Sequence, residues 1–74
     1  MNMTRSPKEV LAEFSRKGIS VAAWARANGY DADLTRTILR GERACLRGQS
    51  HNIAVSLGLK KGEIVPESRL AEAI

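Results

Sequence analysis

Arg36, Arg40, Arg43 and Arg47 follow one another at intervals of four, three and four. On an uninterrupted helix that spacing puts four guanidinium groups on one face. A planar guanidinium fork suits phosphate oxygens and the acceptor edges of bases, so the chemistry on offer is recognition of a polyanion rather than bond making. Glu42 is the single acid interleaved. Residues 34–61 carry six basic groups and one acidic, residues 1–33 five and four, and residues 62–74 one and three. The formal charge of +4 and the pI near 9.8 therefore arise in the middle of the chain, which favours a polyanionic partner. A catalytic set is not readable: one histidine, His51, one cysteine, Cys45, and dispersed acids supply no nucleophile with its base, no carboxylate pair and no metal cluster. The expectation is a protein that is not an enzyme and uses no metal and no cofactor. Cys45 reads as an inert loop thiol, with redox sensing as the alternative, and His51 as a capping or surface residue.

Short helices must position these arginines, because no stretch alternates apolar and polar long enough for a strand. Ser6-Pro7-Lys8-Glu9 combines an N-cap serine, a proline at the first helical position and a glutamate three residues after the cap. Val10, Leu11 and Phe14 continue it, and Arg16-Lys17-Gly18 ends a first helix over residues 7–17. Ser20 caps a second, carrying Val21, Trp24 and Ala25 and closing at Asn28-Gly29. Asp31 and Asp33 both qualify as cap of a third, whose buried face is Leu34, Ile38 and Leu39 and which stops at Arg40-Gly41. A fourth spans residues 49–57 with Ile53, Ala54 and Leu57 inward, before Gly58. Residues 60–65 are expected to make one short helical turn ended by Pro66.

The reading is thus an all-α domain over residues 1–74, a compact cluster of four or five helices, with residues 1–5 a flexible N-terminus and 67–74 a candidate tail helix. A chain of 74 residues buries only about 60% of its unfolded surface, and the core is expected from Phe14, Trp24, Leu34, Ile38, Ile53 and Leu57.

Residues 21–41 are the informative part. Ala25, Gly29, Leu34 and Ile38 supply, in order, a small packing residue, a turn residue tolerant of positive φ, and two anchors on the following helix. This spacing resembles the helix-turn-helix of λ-repressor-like DNA-binding domains, whose second helix enters the major groove. Gly29-Tyr30, Ile53-Ala54, Leu57 and the ending Pro66-Glu67-Ser68-Arg69 make residues 7–69 similar to the Ner family, small phage transcriptional repressors of λ-like fold. Two features depart from that pattern. Thr35 stands where an apolar anchor is expected, with Leu34 taking the role one residue earlier, and Asp31 and Asp33 put acid at the start of the reading helix. The helix register is thereby open by one residue.

The expected function is sequence-specific binding of double-stranded DNA by a transcriptional regulator, with the helix at about 32–40 in the major groove. The resemblance implies a repressor of a phage or mobile element, and autoregulation. Asp33, Arg36, Thr37 and Arg40 are the candidate base contacts, and Ser20, Tyr30, Arg43, Arg47, Lys60 and Lys61 the candidate phosphate contacts. Each has a plainer reading. The aspartates cap a helix or complement its dipole, although a carboxylate also accepts from the cytosine amino group. The arginines form a solvated cationic face, Lys60-Lys61 neutralise a helix end, and Tyr30 leans on the core. Trp24 lies on an apolar stripe and reads as core rather than as a stacking platform.

A homodimer on a palindromic operator is expected, because one helix reads few base pairs and two half-sites about 34 Å apart multiply discrimination. The apolar tail Leu70, Ala71 and Ile74 and exposed parts of the fourth and fifth helices are candidate dimer surfaces. An architectural or recombination accessory protein is the alternative, and a small helical protein-interaction module such as an antitoxin is a further one. The longest charge-free runs, residues 18–25 and 48–59, fall short of the roughly 20 residues that span a bilayer. No membrane partner is expected, and a cytoplasmic location, on the nucleoid when bound, is the default.

Overall fold

The computed structural model of the protein describes residues 4–45 and 47–65. Four helices are present among them: α1 Pro7–Lys17, α2 Val21–Ala27, α3 Ala32–Leu39 and α4 Gly48–Ser56, with no strand among the described residues. The all-α expectation holds, with α4 starting and ending one residue earlier than its apolar pattern indicated. Residues 60–65 are not helical. His51 Nε2 lies 2.9 Å from the Glu63 carbonyl, and the backbone at Gly62 passes so close to the imidazole that a Cβ there would sit 2.8 Å from Cε1. That contact lays the segment along α4. The proposed tail helix, its apolar residues and the Pro66-Glu67-Ser68-Arg69 ending lie outside the described residues.

Local chemistry sets each boundary. The Ser6 side chain accepts from the Glu9 N–H (3.2 Å) and the Glu9 carboxylate from the Ser6 N–H (3.0 Å), the reciprocal pair that satisfies two orphan donors. Ser20 and Asp31 cap α2 and α3 by accepting from Ala23 and Leu34. Asp31 is therefore the cap of α3, and Asp33 is a first-turn acid. Arg5, assigned above to a loose N-terminus, is tied down instead: its N–H donates to the Gly58 carbonyl at 2.7 Å, and its guanidinium pairs with Glu13.

The Ser6 N–H holds the Glu9 carboxyl below its ordinary value, and Lys17, followed by Arg5, does the same for Glu13. Carboxyls depressed in the folded chain contribute stability above the unfolded value of about 4.5, and that contribution is lost as pH falls through the depressed folded values. Acid titration of the urea midpoint is expected to show this decline below about pH 4.5, and the double variant Glu9→Gln, Glu13→Gln to flatten it. An identical acid limb in the double variant would place the acid-sensitive groups elsewhere.

Val10, Phe14, Ile38, Leu39, Ile53 and Leu57 form the core cluster, with Val21, Trp24, Tyr30, Leu34, Cys45 and Leu59 packed against it. Trp24 and Leu34 are thus flanking rather than central. Thr35 corrects the expected register: it is completely buried, so the inward face of α3 is Thr35, Ile38 and Leu39, and Leu34 does not replace it. The core accepts this polar residue because its Oγ1 donates to the Asp31 carbonyl at 2.8 Å, leaving the methyl group for packing. The three aromatic side chains form a row, Phe14 to Trp24 at 6.0 Å and Trp24 to Tyr30 at 5.8 Å between centroids. Trp24 in the middle is a packing residue.

Helix α3 is the hub. It packs on α2 most extensively, and also on α1 and α4.

Candidate nucleic-acid interface

The second and third helices meet through Gly29, whose φ of 75° is the left-handed conformation that glycine adopts without steric cost. Behind it the Tyr30 N–H donates to the Ala25 carbonyl at 2.8 Å. Ala25 is fully buried, as close approach at this corner demands. The Asp31 N–H, not used inside the helix, donates to Gln49 Oε1 of α4 at 2.7 Å. The entrance of α3 is thereby fixed to the entrance of α4.

With Thr35, Ile38 and Leu39 inward, Asp33, Arg36, Thr37 and Arg40 fall at i, i+3, i+4 and i+7 on the opposite side. All except the half-buried Thr37 are exposed. Hydrogen bonds run along this stripe. Arg36 Nη1 donates to Asp33 Oδ1 (3.0 Å), Thr37 Oγ1 donates to the Asp33 carbonyl (2.9 Å), Arg40 Nη2 donates to Thr37 Oγ1 (3.4 Å), and Arg40 Nε donates to Glu42 Oε1 (3.1 Å). The four candidate base-contacting residues are brought together on one open face.

The helix does not run on to Arg43. Gly41, at φ 75°, ends it: the Gly41 N–H donates to Ile38 O and the Glu42 N–H to Thr37 O, which is the Schellman closure. Arg43 and Arg47 are exposed in the α3–α4 connection, and among the described residues neither is paired with an acid. Arg47 also occupies the N-cap of α4 without a side-chain hydrogen bond to it.

The remaining sequence-derived residues have other settings. Lys60 Nζ donates to the Cys45 carbonyl at 2.7 Å, which brings it to the connection that carries Arg43 and Arg47, while Lys61 is exposed. Ser20 stands at the entrance of α2 with its oxygen engaged as cap. The Tyr30 hydroxyl lies 3.0 Å from Ser56 Oγ, and its ring leans on Trp24. In the sequence Glu42 reads only as an isolated acid, and Gln49 carries no sign of a role. The first is signalled by its place two residues after Arg40 across a glycine stop. The second has no local signal, since its partner is 18 residues away.

Comparison of the chain with family models, curated proteins and solved structures finds no match to any of them. Among the described residues no helix is long and apolar enough to cross a membrane.

Proposed function

We propose that the protein is a sequence-specific double-stranded DNA-binding transcriptional regulator, a repressor of the phage or mobile-element kind, in which α2 and α3 act as a helix-turn-helix. The observation that carries this reading is the division of α3 into two faces: Thr35, Ile38 and Leu39 are buried, and Asp33, Arg36, Thr37 and Arg40 form a connected polar stripe on the outside. A helix seated this way presents hydrogen-bonding side chains while its backbone is held by the core, as direct readout in the major groove requires. Arg43 and Arg47 flank it and serve the phosphates, with Ser20, Tyr30, Lys60 and Lys61 as further backbone contacts. Binding as a homodimer to a palindromic operator doubles the few base pairs that one stripe reaches.

Selection of bound sequences from random duplex DNA tests this, with a short, two-fold symmetric site as the expected result. For about six neutralised phosphates, log K falls against log salt concentration with a slope near −5. Arg43→Ala or Arg47→Ala is expected to make that slope shallower by about 0.9 per protomer and to weaken all sequences alike. A flat salt response would point to a protein partner, and bending of many unrelated sequences to an architectural role.

A further inference from the structure

We propose that Glu42 is a positioning and specificity-determining residue: with Thr37 it orients Arg40 so that the outer edge of the guanidinium reads a guanine in each half-site, and its charge disfavours the phosphate backbone. The inference rests on the DNA-reading role of α3 and adds to it a base and a residue that acts through another.

The geometry of Arg40 is specific. Its Nε donates to Glu42 and its Nη2 to Thr37, so one edge of the fork is occupied from within the chain. The Nη1 and Nη2 donors at the far end remain for an external partner. Two parallel donors match the O6 and N7 acceptors of guanine in the major groove. Arg36 has a looser frame, a single bond to Asp33, whose side chain is 94% exposed.

The placement of Glu42 is unexpected on structural grounds, which supports a role outside folding. In each helix the residue after the left-handed glycine closes the Schellman bond: Ile19, Tyr30, Glu42 and Leu59. This position ordinarily makes an apolar contact with the last turn. Tyr30 and Leu59 do pack on the core, and Ile19 is apolar. At α3 alone the residue is charged and exposed, and it bonds Arg40.

Charge is distributed accordingly. Asp33 and Glu42 offset Arg36 and Arg40, so the stripe taken together with Glu42 is neutral, whereas Arg43 and Arg47 in the adjoining connection have no acid partner among the described residues. An acid beside Arg40 repels phosphate at any sequence but leaves attraction to an uncharged guanine edge largely intact. The stripe is thus suited to bases and the connection to the backbone.

Glu42→Gln and Glu42→Ala separate orientation from charge. Glutamine keeps an acceptor for Arg40 Nε and loses the charge; alanine loses both. Both variants are expected to bind random duplex about 2- to 5-fold more tightly, the range of one exposed charge pair. Glu42→Gln should keep the guanine preference, and Glu42→Ala should lose about 5-fold or more of it. Replacing each guanine of the selected site by 7-deazaguanine, which lacks the N7 acceptor, should weaken wild type and Glu42→Gln at one position per half-site and leave Glu42→Ala nearly indifferent there. Matching melting curves for the three chains confirm that folding is untouched. Absence of salt-dependent duplex binding by the wild type would overturn the DNA reading and this inference with it. Duplex binding with equal guanine discrimination in Glu42→Ala, or no retention by Glu42→Gln, would overturn this inference alone.

Discussion

Replacing Arg36 and Arg40 together by alanine is expected to lower the ratio of specific to nonspecific duplex affinity by at least about 30-fold, since each well-placed base contact contributes about 1–3 kcal/mol of discrimination. Both side chains are on the open face of α3, and their partners, Asp33 and Glu42, are exposed. Ion pairs of that kind contribute about 0–1 kcal/mol to folding, so the melting temperature should hardly move. On the proposed reading these two side chains contact bases rather than phosphates, so the salt slope should change less than it does on removing Arg43 and Arg47. Competition of a selected operator against random duplex, repeated over a salt series, measures both quantities at once. An unchanged ratio would remove α3 from base reading, and a loss confined to the slope would reassign these arginines to the backbone.

Ile53→Ala carries the largest expected effect on folding. Ile53 is completely buried in the cluster of Val10, Phe14, Ile38, Leu39 and Leu57. Truncating such a side chain costs about 2–5 kcal/mol, through lost transfer energy and the void left behind. A domain of this size has only about 5–10 kcal/mol of total stability, and each kcal/mol shifts its midpoint by about 4–8 °C. A fall in melting temperature of about 10 °C or more is expected, read by far-ultraviolet circular dichroism. Ile53 lies in the core and not on the proposed reading face, so operator binding should disappear as the chain unfolds and not before. A loss below about 1 kcal/mol would mean that this cluster is far less tightly filled than its burial indicates.

These two residue sets also mark what could be read from the amino-acid order. Local determinants were legible. Ser6, Pro7 and Glu9 announce α1 because a capping box depends only on neighbours, and the 33, 36, 37 and 40 stripe follows from helical periodicity once the burial of Thr35 fixes the register. Ala25 and Gly29 announce the corner for the same reason. The cap of α3 was not decided, because Asp31 and Asp33 are equally able acceptors and only the chain's path into the helix selects the first. Thr35 reads in the sequence as a departure from the core pattern, because its hydroxyl is tolerable there only with the Asp31 carbonyl accepting from it. Contacts between distant segments left no trace in the sequence: Gln49 on the Asp31 N–H, Tyr30 on Ser56, Lys60 on the Cys45 carbonyl, Arg5 on Gly58. They decide which polar groups are already engaged, and therefore which of the candidate phosphate contacts start from an occupied state.

Because α3 touches every other helix, it cannot melt while the remainder stays assembled. Its backbone order is settled when the chain folds. On the proposed reading, association with a duplex is expected to proceed between preformed partners, without the heat-capacity and entropy signature of a segment that folds as it binds. Exchanging the outward side chains of α3 for another set should accordingly retarget the protein without rebuilding it, as the inward row that anchors the helix is a separate set of residues.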